Sequence, residues 1–216
     1  SGGPGKYVEI YNAGTTPINF DTSNYYLSRE SNGGGALAFI KLVGIVLPKG
    51  YYLIVEEANF NSTYGFDPNH NDNANPATVS GNGNDSYFIS RDNTDDNALK
   101  NSRIDIYGEI GINGFTSDNS NASENDGDPS NDPEWEYENS RAYRKNPEVK
   151  NANTTWTASE WTIDSNASET DMTPGYGDND YIYDGSWTNI GLGDPNGNST
   201  GNQNIFIRSG IVSLTQ

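Results

Sequence analysis

Short segments in which apolar and polar residues alternate recur along the chain, and they predict β-strands. In residues 6–11 the side chains of Val8 and Ile10 share one face, and residues 51–55 form an apolar run that predicts a buried strand. Residues 36–46 predict either one long strand or two short strands broken at Gly44. No segment shows a convincing amphipathic helix, so the predicted fold class is all-β. Further strands are predicted at 18–20, 25–30, 86–90, 103–110 (with Ile104 and Ile106 on the inner face), 135–144 and 156–163.

Turn residues separate these strands at intervals of roughly ten residues, a spacing typical of a β-sandwich or a β-barrel. Turns are predicted at 12–17, 32–35 and 47–50, where Gly, Pro and Asn are concentrated. The stretches 57–82 and 113–134 are rich in Asn and Asp and predict long polar loops.

The composition gives this β protein an acidic surface. The 216 residues include 30 acidic and 12 basic side chains and one histidine, for a formal net charge of -18. Such a surface repels phosphate groups and attracts divalent cations, so we expect no direct nucleic-acid binding. The chain has no cysteine, which excludes disulfides and zinc–thiolate sites. Its apolar runs are shorter than a membrane span, so we expect no membrane partner.

The order of several short motifs resembles the lamin-tail domain. The motifs follow one another over about residues 6–175, and each becomes informative only through its place in the series. They are VEIYN at 8–12, PINF at 17–20, YL at 26–27, LPKGYYLIV at 47–55, GND at 83–85, IDIYG at 104–108 with Gly111, Tyr137, SR at 140–141, Trp161 and TPG at 173–175.

This resemblance implies an immunoglobulin-like β-sandwich and no catalytic residues, and the long polar loops at 57–82 and 113–134 depart from the family's pattern. Residues 1–177 are expected to form the lamin-tail-like domain, and 178–216 a β-rich extension or the start of a second surface module. In bacteria such modules accompany extracellular hydrolases, including nucleases and phosphatases, or cell-surface proteins. We therefore expect a non-catalytic accessory or interaction domain, secreted or at the cell surface, whose partners are the neighbouring domains of a longer chain and a surface glycan or protein.

Two acidic loops are candidates for structural calcium sites. Calcium takes about 6–8 oxygen ligands from carboxylates, amides and carbonyls on a loop that can curl around the ion. Residues 118–132 supply such oxygens densely, and residues 91–97 supply them again. The alternative is that both are solvated acidic loops. The predicted ligands are Asp126, Asp128 and Asp132 in the first loop and Asp92, Asp95 and Asp96 in the second.

Aromatic residues in the second half of the chain suggest an alternative function, a carbohydrate- or ligand-binding module attached to an extracellular hydrolase. Trp135, Trp156 and Trp161, together with Tyr137 and Trp187, are the side chains that could stack on a sugar ring. Such residues more often pack in a core or at an edge. Exposed, coplanar rings on one sheet face would favour the binding module, whereas buried rings would count against it.

The sequence offers little for catalysis. His70 is the single histidine and is predicted to be a solvated loop residue, because no second histidine or cysteine could complete a triad or a zinc site. Glu56 and Glu57 are adjacent, which places their side chains on opposite faces of a strand. Arg141 is predicted to make a buried, charge-assisted bond to Asp105 or Glu9. The chain is therefore expected not to be an enzyme.

Overall fold

The described part of the chain is built almost entirely of strands. The computed structural model describes residues 6–35, 37–56, 67–72, 78–81, 85–111, 141–145, 152–164 and 205–209, the last five as backbone. The strands, in chain order, are β1 (Tyr7–Asn12), β2 (Ile18–Asn19), β3 (Tyr26–Glu30), β4 (Leu37–Lys41), β5 (Ile45–Val46), β6 (Tyr51–Val55), β7 (His70–Asn71), β8 (Ser86–Ser90), β9 (Asp105–Tyr107), β10 (Arg141–Arg144), β11 (Trp161–Asp164) and β12 (Ile205–Ser209).

These strands form a six-stranded sheet, a four-stranded sheet and a small two-stranded sheet. The six-stranded sheet has the order β11-β10-β12-β1-β6-β7, and the four-stranded sheet has the order β4-β3-β8-β9. Neighbours pair in antiparallel fashion, except that β7 runs parallel to β6. The third sheet joins β2 to β5. The predicted all-β sandwich is confirmed.

The main hydrophobic core contains residues of both large sheets. The inward face of β1 contributes Val8 and Ile10, and the facing sheet contributes Leu27 and Ile89, all at or near zero exposure. The periodicity of residues 6–11 therefore places Val8 and Ile10 on one face correctly, and the structure shows that this face is the inward one. The remaining members of β1 are buried too, so this strand is enclosed on both faces. Antiparallel sheets commonly have one solvated face, and β1 departs from that pattern.

A second cluster covers the outer face of the four-stranded sheet. Here Tyr26 and Phe88 contact Leu99 and Ile106. Leu99 belongs to a short α-helix, α1 (Asp96–Asn101), which begins at an N-cap formed by Asp95. The sequence prediction of an acidic turn without a helix is wrong here, because six residues with one buried side chain show no amphipathic period.

The structure also tests two finer sequence predictions, one about Ile106 and one about the run 36–46. Ile104 packs against the main core, but Ile106 lies in the outer cluster, so its predicted place on the inner face is wrong. Its strand neighbours Asp105 and Tyr107 take the inner face instead, in register with Ile89 and Tyr87 of β8. The run 36–46 forms two strands rather than one. Gly44 lies just before the second of them with φ +81, a conformation that side chains other than glycine rarely adopt.

Strand β12, the last described part of the chain, belongs to the six-stranded sheet. It lies between β1 and β10, with Ile207 opposite Ile10 and Ser209 opposite both Glu9 and Tyr143. These five residues come from the segment 178–216, which the sequence predicts as an extension or a second module. Their pairing makes them a strand of the main sheet, as an extension of the same domain would be.

Replacing Ile207 by proline should destabilise the protein. Because Ile207 pairs with Ile10 and β12 lies inside the sheet order, a proline there, with its fixed φ and no N–H, should disturb the ladder at a cost of about 1–3 kcal/mol. Ile207→Val keeps the N–H and is the matched control. Urea unfolding should show a clearly larger loss of stability for proline than for valine, and equal losses would contradict the assigned pairing.

Candidate functional site

A buried ion pair joins the two large sheets. Nη2 of Arg144 on β10 lies 2.7 Å from Oδ1 of Asp105 on β9, and neither side chain is exposed to solvent. Nη1 of Arg144 donates to Oε2 of Glu160 at 3.0 Å, and its guanidinium stands 4.8 Å from the ring centroid of Trp161. Arg144 therefore contacts the opposite sheet, the 3-10 turn Ala158–Glu160 and the first residue of β11.

Aromatic rings and a backbone N–H surround this ion pair. The backbone N–H of Asn153 donates to Asp105 at 2.8 Å. The ring of Tyr107 makes edge contacts with Trp156 and Trp161, at centroid distances of 5.0 and 4.8 Å. Because water is kept out on these sides, the attraction between the two charges is stronger than it would be at the surface.

A second buried pair fastens β3 to the chain that enters β8. Nη1 of Arg29 lies 3.2 Å from Oδ2 of Asp85, and the backbone N–H of Asn32 donates to Oδ1 of Asp85 at 3.0 Å. Gly81 lies against this group, since a Cβ there would clash with Asp85 Oδ2 and with the Tyr87 hydroxyl. The packing therefore requires glycine at this position.

A third charged group holds α1 to the outer face of the four-stranded sheet. Glu30 is fully buried at the end of β3. Its carboxylate forms an ion pair with Lys100 of α1 and accepts a hydrogen bond from the backbone N–H of Gly111. Both contacts join residues far apart in the chain, so this carboxylate fixes the helix and the 108–111 turn together.

The single histidine is an ordered residue of an edge strand. His70 lies in β7, and its Nδ1 is 3.2 Å from the hydroxyl of Tyr52. Burial lowers the pKa of His70, while the Asp72 carboxylate raises it by a smaller amount. Burial also raises the pKa of Tyr52 to about 12. The predicted solvated loop position is wrong, since the side chain is half-buried and hydrogen-bonded.

The predicted calcium ligands at 92–96 lie at the start of α1. Oδ1 of Asp92 accepts from the N–H and hydroxyl of Thr94, which lowers the pKa of Asp92. Oδ1 of Asp95 accepts the N–H of Ala98 as the N-cap, and Asp96 is exposed in the first turn. Within the described ranges no group of three His, Asp or Glu side chains could hold a metal ion. Asp126, Asp128 and Asp132 lie outside the described residues.

Of the predicted glycan-stacking residues, two are described by the structure and three lie outside the described ranges. Trp161 is 3% exposed and belongs to the main core, where its ring lies beside Tyr107 and Arg144. Trp156 is half-buried and tilted by 37° against Trp161. Burial counts against Trp161 as an exposed sugar platform and leaves Trp156 as the accessible ring of the two. Trp135 lies outside the described residues, as do Tyr137 and Trp187.

The sequence predicts a buried, charge-assisted bond from Arg141 to Asp105 or Glu9. Asp105 does receive a buried arginine from β10, but that arginine is Arg144. The side chain of Arg141 lies outside the described ones. Ala142 could have indicated Arg144, because an apolar residue on the inner face places the residue two positions further along the strand on that face by alternation. No sequence signal pointed to Glu30 with Lys100 or to Tyr52 with His70.

Comparison with family models, with curated proteins and with solved structures finds no match to this chain. Within the part of the chain that the structure describes, no helix is long and apolar enough to span a membrane. Fold, burial and hydrogen bonding are therefore the basis for a functional conclusion.

Replacing Arg144 by methionine should destabilise the sandwich strongly. Methionine keeps much of the side-chain volume but leaves the Asp105 carboxylate in the core without its arginine, and removal of one partner of a buried pair costs about 3–5 kcal/mol. Lys145→Met, at the exposed neighbouring position, should change stability by less than about 0.5 kcal/mol. Chemical unfolding of both variants is the measurement, and similar losses in the two would show that the ion pair does not hold the sheets together.

Proposed function

We propose that this protein is a non-catalytic accessory domain of the lamin-tail type, which supports or spaces neighbouring domains of a secreted or cell-surface bacterial protein. The observation that carries the proposal is that the buried charged groups hold parts of the fold together. Arg144 with Asp105, Arg29 with Asp85 and Lys100 with Glu30 each join elements distant in sequence. A catalytic carboxylate has to reach a substrate, whereas these carboxylates bind arginine, lysine and backbone N–H groups inside the fold.

The positions of the lamin-tail motifs on the fold support the family part of the proposal. VEIYN lies on β1, YL opens β3, and LPKGYYLIV comprises a turn and the whole of β6. IDIYG covers β9, and Trp161 opens β11. Motifs that resemble one family in order thus fall on strands of one sandwich, as an immunoglobulin-like arrangement requires.

The strongly acidic charge balance suits the proposed place outside the cell, where calcium is plentiful. A net charge of -18 keeps the surface strongly hydrated and self-repelling, which favours solubility over association with anionic surfaces. The expected partners are the adjoining domains of the same polypeptide, whereas a surface glycan would be the partner of the alternative binding module.

The purified protein should hydrolyse none of a panel of DNA, RNA, phosphomonoester and polysaccharide substrates. Pull-down with insoluble polysaccharides tests the alternative, a glycan-binding module, for which half-buried Trp156 is the described ring able to contact a sugar. We expect no retention. Turnover of any substrate would overturn the proposal, and retention that Trp156→Ala abolishes while the protein stays folded would replace it by the binding module.

Calcium should raise the thermal midpoint if the acidic loop at 118–132 clamps an ion. We favour this loop over 92–96, where Asp92 and Asp95 already accept hydrogen bonds from Thr94 and Ala98. A ligand that binds only the folded state stabilises it by mass action, by about 2.7 kcal/mol at one hundred times its dissociation constant.

The control is a variant with Asp126, Asp128 and Asp132 all changed to Asn, which should melt at the same temperature in calcium and in chelator. An unchanged midpoint for the unmodified protein would remove calcium from the proposal and leave the accessory role standing.

A further inference from the structure

The backbone ladder of the parallel pair, with Ile54 opposite His70 and Val55 opposite Asn71, and a few further hydrogen bonds hold the edge strand β7 to β6. The Leu53 N–H donates to Oδ1 of Asn69 at 2.8 Å, and the Asp72 N–H donates to the carbonyl of Val55 at 2.7 Å. Between these two bonds lies the contact of His70 Nδ1 with the Tyr52 hydroxyl. His70 is therefore at the centre of the attachment of β7 to β6.

The hydrogen-bonding capacity of the Tyr52 hydroxyl determines the protonation state of His70. This hydroxyl accepts the N–H of Val43 at 3.4 Å and carries one proton of its own to donate. The Tyr52 side chain is buried at 2% exposure, so its proton needs a partner within the fold. Nδ1 of His70 is within reach as that partner at 3.2 Å, and it accepts the proton when the ring is neutral and protonated on Nε2.

Addition of a proton to His70 removes this partner. Both ring nitrogens of the imidazolium are donors, so two donors would face each other across the 3.2 Å gap. Rotation of the hydroxyl proton relieves the conflict only by leaving a buried donor without an acceptor, which costs as much as a broken hydrogen bond. Separation of His70 from Tyr52 relieves it by letting the ring reach water.

We propose that protonation of His70 releases β7 from β6, so that this edge of the six-stranded sheet is closed at neutral pH and open in mildly acidic surroundings. The opened edge exposes backbone N–H and C=O groups of β6 to solvent. The same Tyr52 hydroxyl holds Val43, which lies beside Ile45 in an exposed apolar stretch. The proposal is independent of the accessory role argued above.

The charges around His70 agree in sign with this behaviour. Tyr52 from β6 and Asp72 from the end of β7 are the described titratable groups that act on the pair, and Asp21 acts on Tyr52 from the β2 side. Burial outweighs Asp72, so the pKa of His70 in the folded protein lies below its ordinary value of 6.5. The contribution to stability is thus complete above pH 6.5. It is lost as the pH falls from there to the folded-state pKa, because the unfolded chain takes up the proton first.

Amide hydrogen exchange of the full chain at pH 7.5 and pH 5.0 tests the proposal. With rates corrected for intrinsic exchange, the Leu53 and Asp72 amides should lose about tenfold in protection at the lower pH. The amides of β3 and β8 should keep theirs, since those strands lie in the other sheet. A fall that is uniform over all strands would mean global destabilisation and would overturn the proposal, as would the absence of any fall.

Two variants separate the histidine from the general effect of acid. His70→Asn keeps an acceptor near the position of Nδ1 but does not titrate, so β7 should stay protected at both pH values. Tyr52→Phe removes the hydroxyl, so β7 should be weakly protected at both. The proposal is refuted if the Leu53 amide of His70→Asn loses as much protection at low pH as that of the unmodified protein. Other groups would then be responsible for the opening.

Discussion

The relative placement of the two large sheets depends on the ion pair between Arg144 and Asp105. Removal of two charges from water is favourable only when their geometry is good and their remaining hydrogen-bonding capacity is used. Asp105 therefore needs the Asn153 N–H as well as the guanidinium, and Arg144 needs Glu160 as well as Asp105. A slip of one residue in β9 or β10 would turn one of these side chains to the other face. The buried pair thus selects one register among the many that apolar residues alone would allow.

The same principle recurs where the sandwich joins its helix and loops. The protein has few basic residues for its many acidic ones, and it uses Arg29 and Lys100 at buried carboxylates. In each case the carboxylate also accepts a backbone N–H, from Asn32 or from Gly111. Every such group joins three points of the chain, so ordering one segment lowers the entropic cost of ordering the others.

The strands could be predicted from the sequence because apolar and polar residues alternate where one face of a strand is buried. This alternation predicts β1, β6 and β8 within about one residue of their observed bounds. Alternation divides a strand into two faces but does not say which face is inward, and for this reason Ile106 was assigned to the wrong side. Helix α1 is too short to show a period, and it forms because Asp95 caps it and Leu99 enters the outer cluster. The Asp95 cap is a local contact, whereas the burial of Leu99 is a tertiary contact that no local pattern contains.

The candidate sites were harder to predict because they consist of pairs distant in sequence. The sequence names both Asp105 and an arginine of β10, but only the inward position of Ala142 selects Arg144. It names His70 as a solitary residue, and only the parallel pairing of β6 with β7 brings Tyr52 to it. These two sites also differ in kind. Arg144 and Asp105 join opposite charges at the centre of the fold, whereas Tyr52 and His70 share a bond that requires the histidine to be neutral. Because that bond holds a two-residue strand at the edge of the sheet, its loss can uncover β6 without disturbing the ion pair that positions the sheets.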